Sequence, residues 1–287
     1  MNVAGIDGIG NGYGYALEGG SSQAFVSSKT NFGILPTSTV KIAGLNVKTY
    51  TITAGNDATF ASTLAGKPDI VVMGYDFTWT SADITAAVNY LNNKGVMIIC
   101  DENYGLGTLG TLTPLFRTIY ANALINVTNY NAYATPGGTD FAAPFTLASI
   151  PGDPVLTGPF QPSGSTTLAG LQWGSDATPC AMATGLPSNV IVYSTGYTSA
   201  TASGAVMIRD PNLNLFWVGD GGFLSSGSTS GVYASTTICP FAVNASGAPI
   251  PRTGWDNAST TVYNSYIFGK VLAWAINQAQ YSGINQH

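Results

Sequence analysis

Cys100 closes the apolar run VMIIC, and Asp101 and Glu102 follow it at once. A thiol beside two carboxylates is material for a hydrolase, with Cys100 as nucleophile and Asp101 or Glu102 as its base. Such a base must stand within about 3 Å of the nucleophile. Histidine is the usual partner, and the chain holds one, His287, at its last position. Terminal residues are commonly poorly ordered, so no imidazole is expected beside Cys100. The same count removes histidine-ligated zinc, copper and non-haem iron. The bland reading of Cys100 is a buried free thiol, cysteine being among the most buried residue types, and it is preferred. Cys180 and Cys239 lie far from Cys100, no C-x-x-C occurs, and an odd count excludes a full disulfide framework.

Other acids end other apolar runs. Asp76 follows DIVVMGY and Asp220 follows LFWVG. Ligands of an open parallel sheet bind beyond the carboxyl ends of its strands. With parallel strands, Asp76, Asp101, Glu102 and Asp220 share one edge. Carboxylates there can serve as acid and base on a glycoside, or hold Ca²⁺ or Mg²⁺ through oxygen. The alternative is that they cap helices and turns, as Asp220 in GDGG suggests. No other cofactor is expected.

Aromatic residues offer contact surface instead of chemistry. Trp79 in DFTWTS and Trp173 in LQWGSD lie in loop-like contexts and are the surface candidates, whereas Trp217 and Trp274 fall in regular elements and read as core. Tyr13 and Tyr15 belong to the start GIDGIGNGYGYALEGG. Those glycines do not make a phosphate loop. Tyr13 stands where the dinucleotide fingerprint needs glycine, and no Walker lysine follows. No long apolar strand is read ahead of them, so residues 1–39 are expected to form a glycine and aromatic arm, packed on the body or on a neighbouring protomer.

The elements that must position these residues alternate. VKIAGLNVKTYTIT reads as one or two strands and NDATFASTLA as a helix with Phe60 and Leu64 on one face. DIVVMG is a buried strand. In TWTSADITAAVNYLNNKG, Thr80 or Ser81 can cap a helix, Asp83 three after Thr80 makes a weak capping box, and Gly95 sits at C′. GVMIIC is the next strand. The order β-α-β-α-β with continuous apolar strands predicts an α/β domain over 40–287, a mostly parallel sheet with helices on both faces. Weak periodicity over about 121–190 predicts a loop- and β-rich insertion. NVIVYS, AVMIRD and LFWVG complete the sheet. ASTTVYNSYIFGKVLAWAINQ is the last helix, with Ile267, Val271, Trp274 and Ala275 as its stripe.

The run PDIVVMGYDFTWTSADITAAVNYLNNKGVMIICDENYG resembles the core of the class I glutamine amidotransferase-like superfamily. LNLFWVGDGGF and YNSYIFGKVLAWAIN resemble the close of its non-catalytic relatives. The resemblance covers about half the chain and implies a flavodoxin-like sheet. The catalytic branch sets its cysteine in a G-x-C-x-G elbow with a later histidine and glutamate. Here Ile98 and Glu102 replace the two glycines and no histidine follows before the last residue. The resemblance therefore implies the fold of a degenerate, non-catalytic branch.

Charged residues make up 8% of the chain, against roughly 25% in ordinary soluble domains. Nine basic and fourteen acidic residues with no basic cluster argue against nucleic acid. The dense apolar runs, such as DIVVMG and VMIIC, are far shorter than the roughly 18 residues of a membrane span. Low charge removes a barrier to self-association. The first twenty residues show no basic and apolar export segment. An extracellular type of composition without one is what a virion protein would show. The function expected is therefore a non-enzymatic structural or binding protein of a virion or cell surface. It would associate with other protein subunits, in a homo- or hetero-oligomer. The alternatives are a Cys100 hydrolase and a secreted carbohydrate-binding module that takes surface glycans.

Overall fold

Among the described residues, nine strands join one sheet. In chain order they are β1 (Asn2–Asp7), β2 (Asn46–Thr51), β3 (Ile70–Gly74), β4 (Val96–Cys100), β5 (Asn126–Thr128), β6 (Met182–Thr184), β7 (Ile191–Ser199), β8 (Ala202–Asp210) and β9 (Leu215–Val218). The computed structural model describes residues 1–287 except 9, 11, 53–55, 75–76, 103, 106–107, 110, 129–133, 135–143, 176–179, 227–238, 256–259 and 286–287.

The sheet runs β2-β1-β3-β4-β9-β8-β6-β5, with β7 also paired to β8. Its first five strands are parallel. The rest are antiparallel to their neighbours. The parallel half has the doubly wound order of flavodoxin-like folds, in which the chain reverses direction between β1 and β3. Alternate side chains of the buried strands enter two cores. Val72, Ile98 and Cys100 face the core that holds Phe25 and Ile267. Met73 and Ile99 face the one that holds Phe60, Ile84 and Phe116. The helices follow this division. α1 (Gly20–Ser27) and α6 (Asn264–Tyr281) cover the first face. α2 (Asp57–Ala65), α3 (Ser81–Asn92) and α4 (Leu112–Tyr120) cover the second.

Helix α3 begins as its sequence requires. Thr80 Oγ1 accepts the Asp83 N–H, and the Asp83 carboxylate accepts the Thr80 N–H, each at 3.2 Å. It ends otherwise than expected. Asn93 is the C-cap, and the left-handed residue is Lys94, at φ 68°, not Gly95. Gly95 is needed for a different reason: a Cβ there would lie 2.3 Å from the Tyr90 ring.

The expected arm over 1–39 is corrected. Residues 2–7 form a strand inside the sheet, flanked by β2 and β3. Gly5 interrupts its apolar run and so hides the strand from a periodicity reading.

Between β5 and β6 the described residues form only short elements, a two-stranded pair (Phe145–Thr146 with Gln172–Trp173) and a one-turn helix, α5 (Pro154–Thr157). This segment packs on the α6 side of the sheet. Buried polar bonds pin it there. Arg209 Nη2 pairs with Asp153 Oδ2 at 2.6 Å, and the Tyr193 hydroxyl donates to Asp153 Oδ1 at 2.8 Å. Arg209 Nε donates to the Tyr193 oxygen at 2.8 Å, and its guanidinium lies 5.3 Å from the Trp274 ring. Lys270 Nζ, from α6, donates to the Leu156 carbonyl at 2.7 Å.

Candidate functional site

The crevice beyond β1 and β3 is where this fold would hold a ligand. The chain's own loop after β1 packs against these two strands. After β1, Asp7 Oδ1 accepts the Gly10 N–H at 2.7 Å, and the Glu18 carboxylate accepts those of Gly12 at 2.6 Å and Gly14 at 3.3 Å. Burial pushes the Glu18 carboxyl above its ordinary value, against those bonds. The loop then makes a single 3₁₀ turn, Tyr15–Leu17, in which Ala16 and Leu17 take left-handed φ of 47° and 71°. That turn lies directly on the sheet. A Cβ on Gly5 would stand 2.0 Å from the Ala16 carbonyl oxygen, and one on Gly74 3.0 Å from the Ala16 nitrogen. Tyr13 and Tyr15 are buried and meet edge to face at 5.8 Å. Ser226 ties the loop from the other side. Its N–H donates to the Tyr13 carbonyl, and its Oγ accepts the Ser21 N–H.

The acids after β4 and β9 do share one edge, since those strands are adjacent and parallel. Asp76 lies outside the described residues. Asp101, Glu102 and Asp220 are buried, and each accepts protein donors. Asp101 Oδ2 accepts the Trp79 indole N–H at 2.9 Å, and the Asp101 carbonyl accepts that of Trp217 at 3.1 Å. Glu102 Oε2 accepts the Gly221 N–H at 2.5 Å, and Asp220 Oδ1 that of Gly222 at 3.3 Å. Among the described residues, no group of three or more His, Cys, Asp or Glu is placed to hold a metal ion.

Cys100 sits within this set as a free, buried thiol. Burial raises it well above the ordinary thiol range, and the negative charges of Asp220 and Asp101 raise it further. Cys180 is raised likewise, by burial, Asp220 and Glu102. A reactive cysteine needs the reverse, an exposed and electropositive setting that favours thiolate.

The four aromatic residues expected at the surface are inside. Trp79 packs against Phe60 and Phe77 at 5.8 and 4.9 Å. Trp173 stacks on Phe145 at 4.6 Å and donates to Ser194 Oγ at 2.9 Å. Tyr13 and Tyr15 are buried in the loop after β1. Their loop-like sequence contexts conceal this because Phe60, which packs on Trp79, and Phe145, which stacks on Trp173, come from distant segments. Asp7, Glu18 and Asp57 were not singled out by sequence. The signal for Asp7 was there: it ends the VAGID strand as Asp101 follows VMIIC.

The exposed charged side chains among the described residues are Lys29, Lys41, Lys48, Lys67, Lys94 and Arg117. No described acid is exposed, and Glu18 and Asp57 are half-buried.

No protein-family model matches the chain, and no curated protein matches it. Among solved structures it is similar to a GMP synthase subunit from Thermoplasma acidophilum, at 7% identity and TM-score 0.44, over 96% of this chain and 94% of that one. It is similar to a ThuA-like protein of Bacteroides uniformis at 9% identity and TM-score 0.46, over 100% and 94%. It is also similar to the N-terminal domain of mmIFT52 at 9% identity and TM-score 0.46, over 96% and 97%.

Proposed function

We propose that this chain is a non-catalytic contact protein, built on a degenerate class I glutamine amidotransferase-like domain and working in an extracellular assembly, on a virion or a cell surface. One observation carries the reading: the 3₁₀ turn of the same chain, residues 15–17, lies directly on β1 and β3 over Gly5 and Gly74, with Tyr13 and Tyr15 buried beside it. The carboxylates and thiol beside it support it too. Asp101, Glu102 and Asp220 accept bonds from indole or backbone N–H groups, and the Cys100 thiol is held far from its reactive form. The assembly part rests on composition, because few charges means little to desolvate when surfaces meet. Partners are then other protein subunits, met through exposed Asn, Thr, Ser and backbone, with lysines at the margin. The glycan-binding alternative has lost its aromatic platform, since Trp79 and Trp173 are buried. The mass of the purified protein in solution tests the reading. An oligomer, or a stable complex with a co-expressed surface protein, is the result expected. A strict monomer that turns over a substrate and stops when Cys100 is changed to Ser would overturn it.

A further inference from the structure

Asp57, in the first turn of α2, and Asp83, in the first turn of α3, both reach the hydroxyl of Thr80. Asp57 Oδ1 and Asp83 Oδ2 each lie 2.9 Å from Thr80 Oγ1. A threonine hydroxyl has one hydrogen to give, and here the same oxygen also accepts the Asp83 N–H. Two contacts at hydrogen-bonding distance thus share a single hydrogen. With both carboxylates ionised, one contact would set two electron-rich oxygens together with nothing between them.

From this count we infer that Asp57 and Asp83 hold one proton in common with Thr80, a proton-dependent latch joining the starts of α2 and α3. Electrostatics agrees. The two helix N-termini supply roughly half a positive charge each, enough to offset one carboxylate and not two. Asp83 is 3% exposed, and its Oδ1 has no hydrogen-bond partner. Burial raises its pKa, and the neighbouring Asp57 carboxylate adds to this. Other titratable groups on the packed elements are engaged elsewhere. Tyr90, near the far end of α3, donates to Pro68, and Arg117 of α4 donates to Ile125. Tyr120 of α4 meets Asp210.

The latch has a path to the strand edge. Thr80 follows Trp79, whose indole donates to Asp101. Loss of the proton would set like charges against each other at Thr80 and loosen the segment that carries Trp79. Stability from the pair is therefore present in acid and lost as pH rises through the raised folded value.

Carboxyl-carbon NMR titration of the full chain tests this. The expected result is one carboxyl of the pair titrating above the ordinary aspartate range, with Asp57→Asn moving the Asp83 midpoint down. Asp57→Asn keeps the size and polarity of the side chain. Thr80→Ser, which keeps the hydroxyl, should leave the titration as in the parent. Independent midpoints in the ordinary range, unmoved by Asp57→Asn, would overturn the inference. So would midpoints that drop on addition of millimolar Ca²⁺ or Mg²⁺, since a cation would then be holding the pair.

Discussion

Replacing Gly5 by Ala attacks the packing of the Ala16 turn on the sheet. The new methyl would stand 2.0 Å from the Ala16 carbonyl oxygen, and 3.2 Å from both the Ala16 carbonyl carbon and Thr49 Cγ2. Ordinary carbon contacts lie at about 3.5–4.0 Å, so strand and turn must part by more than about 1 Å. The obstacle is backbone, so no side-chain rotation relieves it. Overpacking of this kind costs about 1–3 kcal/mol, and the upper half of that range applies here. Against it stands a gain of about 0.5–1 kcal/mol from removing a glycine within a strand. A net loss of about 2 kcal/mol is expected. Gly74→Ala meets the same turn at 3.0 Å and should cost less than half as much. Urea denaturation of parent and both variants measures the midpoints at constant slope. Gly5→Ala as stable as the parent, or Gly74→Ala the worse of the two, would refute the idea that the turn at Ala16 is seated on the sheet.

Other outcomes follow from the buried polar contacts. Trp79→Phe removes the indole N–H from Asp101 Oδ2 and should cost about 1.5–3 kcal/mol in urea denaturation, the contribution of a hydrogen bond to a charged group. Arg209→Met leaves Asp153 buried without its cation. It should cost about 3–5 kcal/mol, and the double variant with Asp153→Asn should recover part of that in a double-mutant cycle. Burial lowers Lys270 from the ordinary 10.5 to about 8. The folded chain therefore binds fewer protons than the unfolded one between those values. Its stability should gain from this group as pH rises from about 8 toward 10.5. Lys270→Met should show a flatter pH dependence over that window.

Much of the frame was legible because its elements advertise themselves locally. The Thr80 to Asp83 box starts α3, the runs at 70–74 and 96–100 are buried strands, and the stripe of Ile267, Val271, Trp274 and Ala275 marks α6. What escaped depends on contacts between distant segments. β1 was hidden because Gly5 breaks its apolar run, and that glycine is required only by a turn eleven residues later. Trp173 reads as a loop residue until Phe145, twenty-eight positions earlier, stacks on it. The acidic edge was legible as a placement, since acids end adjacent parallel strands. Its engagement with Trp79, Gly221 and Gly222 was not, because turn N–H groups leave no mark in the sequence. The Asp57 to Thr80 contact joins two helix starts that only the packing of α2 on α3 brings together.

Thiol labelling of the native protein at neutral pH, mapped by mass spectrometry, bears most directly on the claim that this α/β frame runs no thiol chemistry. Cys100, Cys180 and Cys239 should all stay unmodified until denaturant is added. Rapid, stoichiometric alkylation of Cys100 in the folded chain, with loss of a measurable turnover, would contradict it.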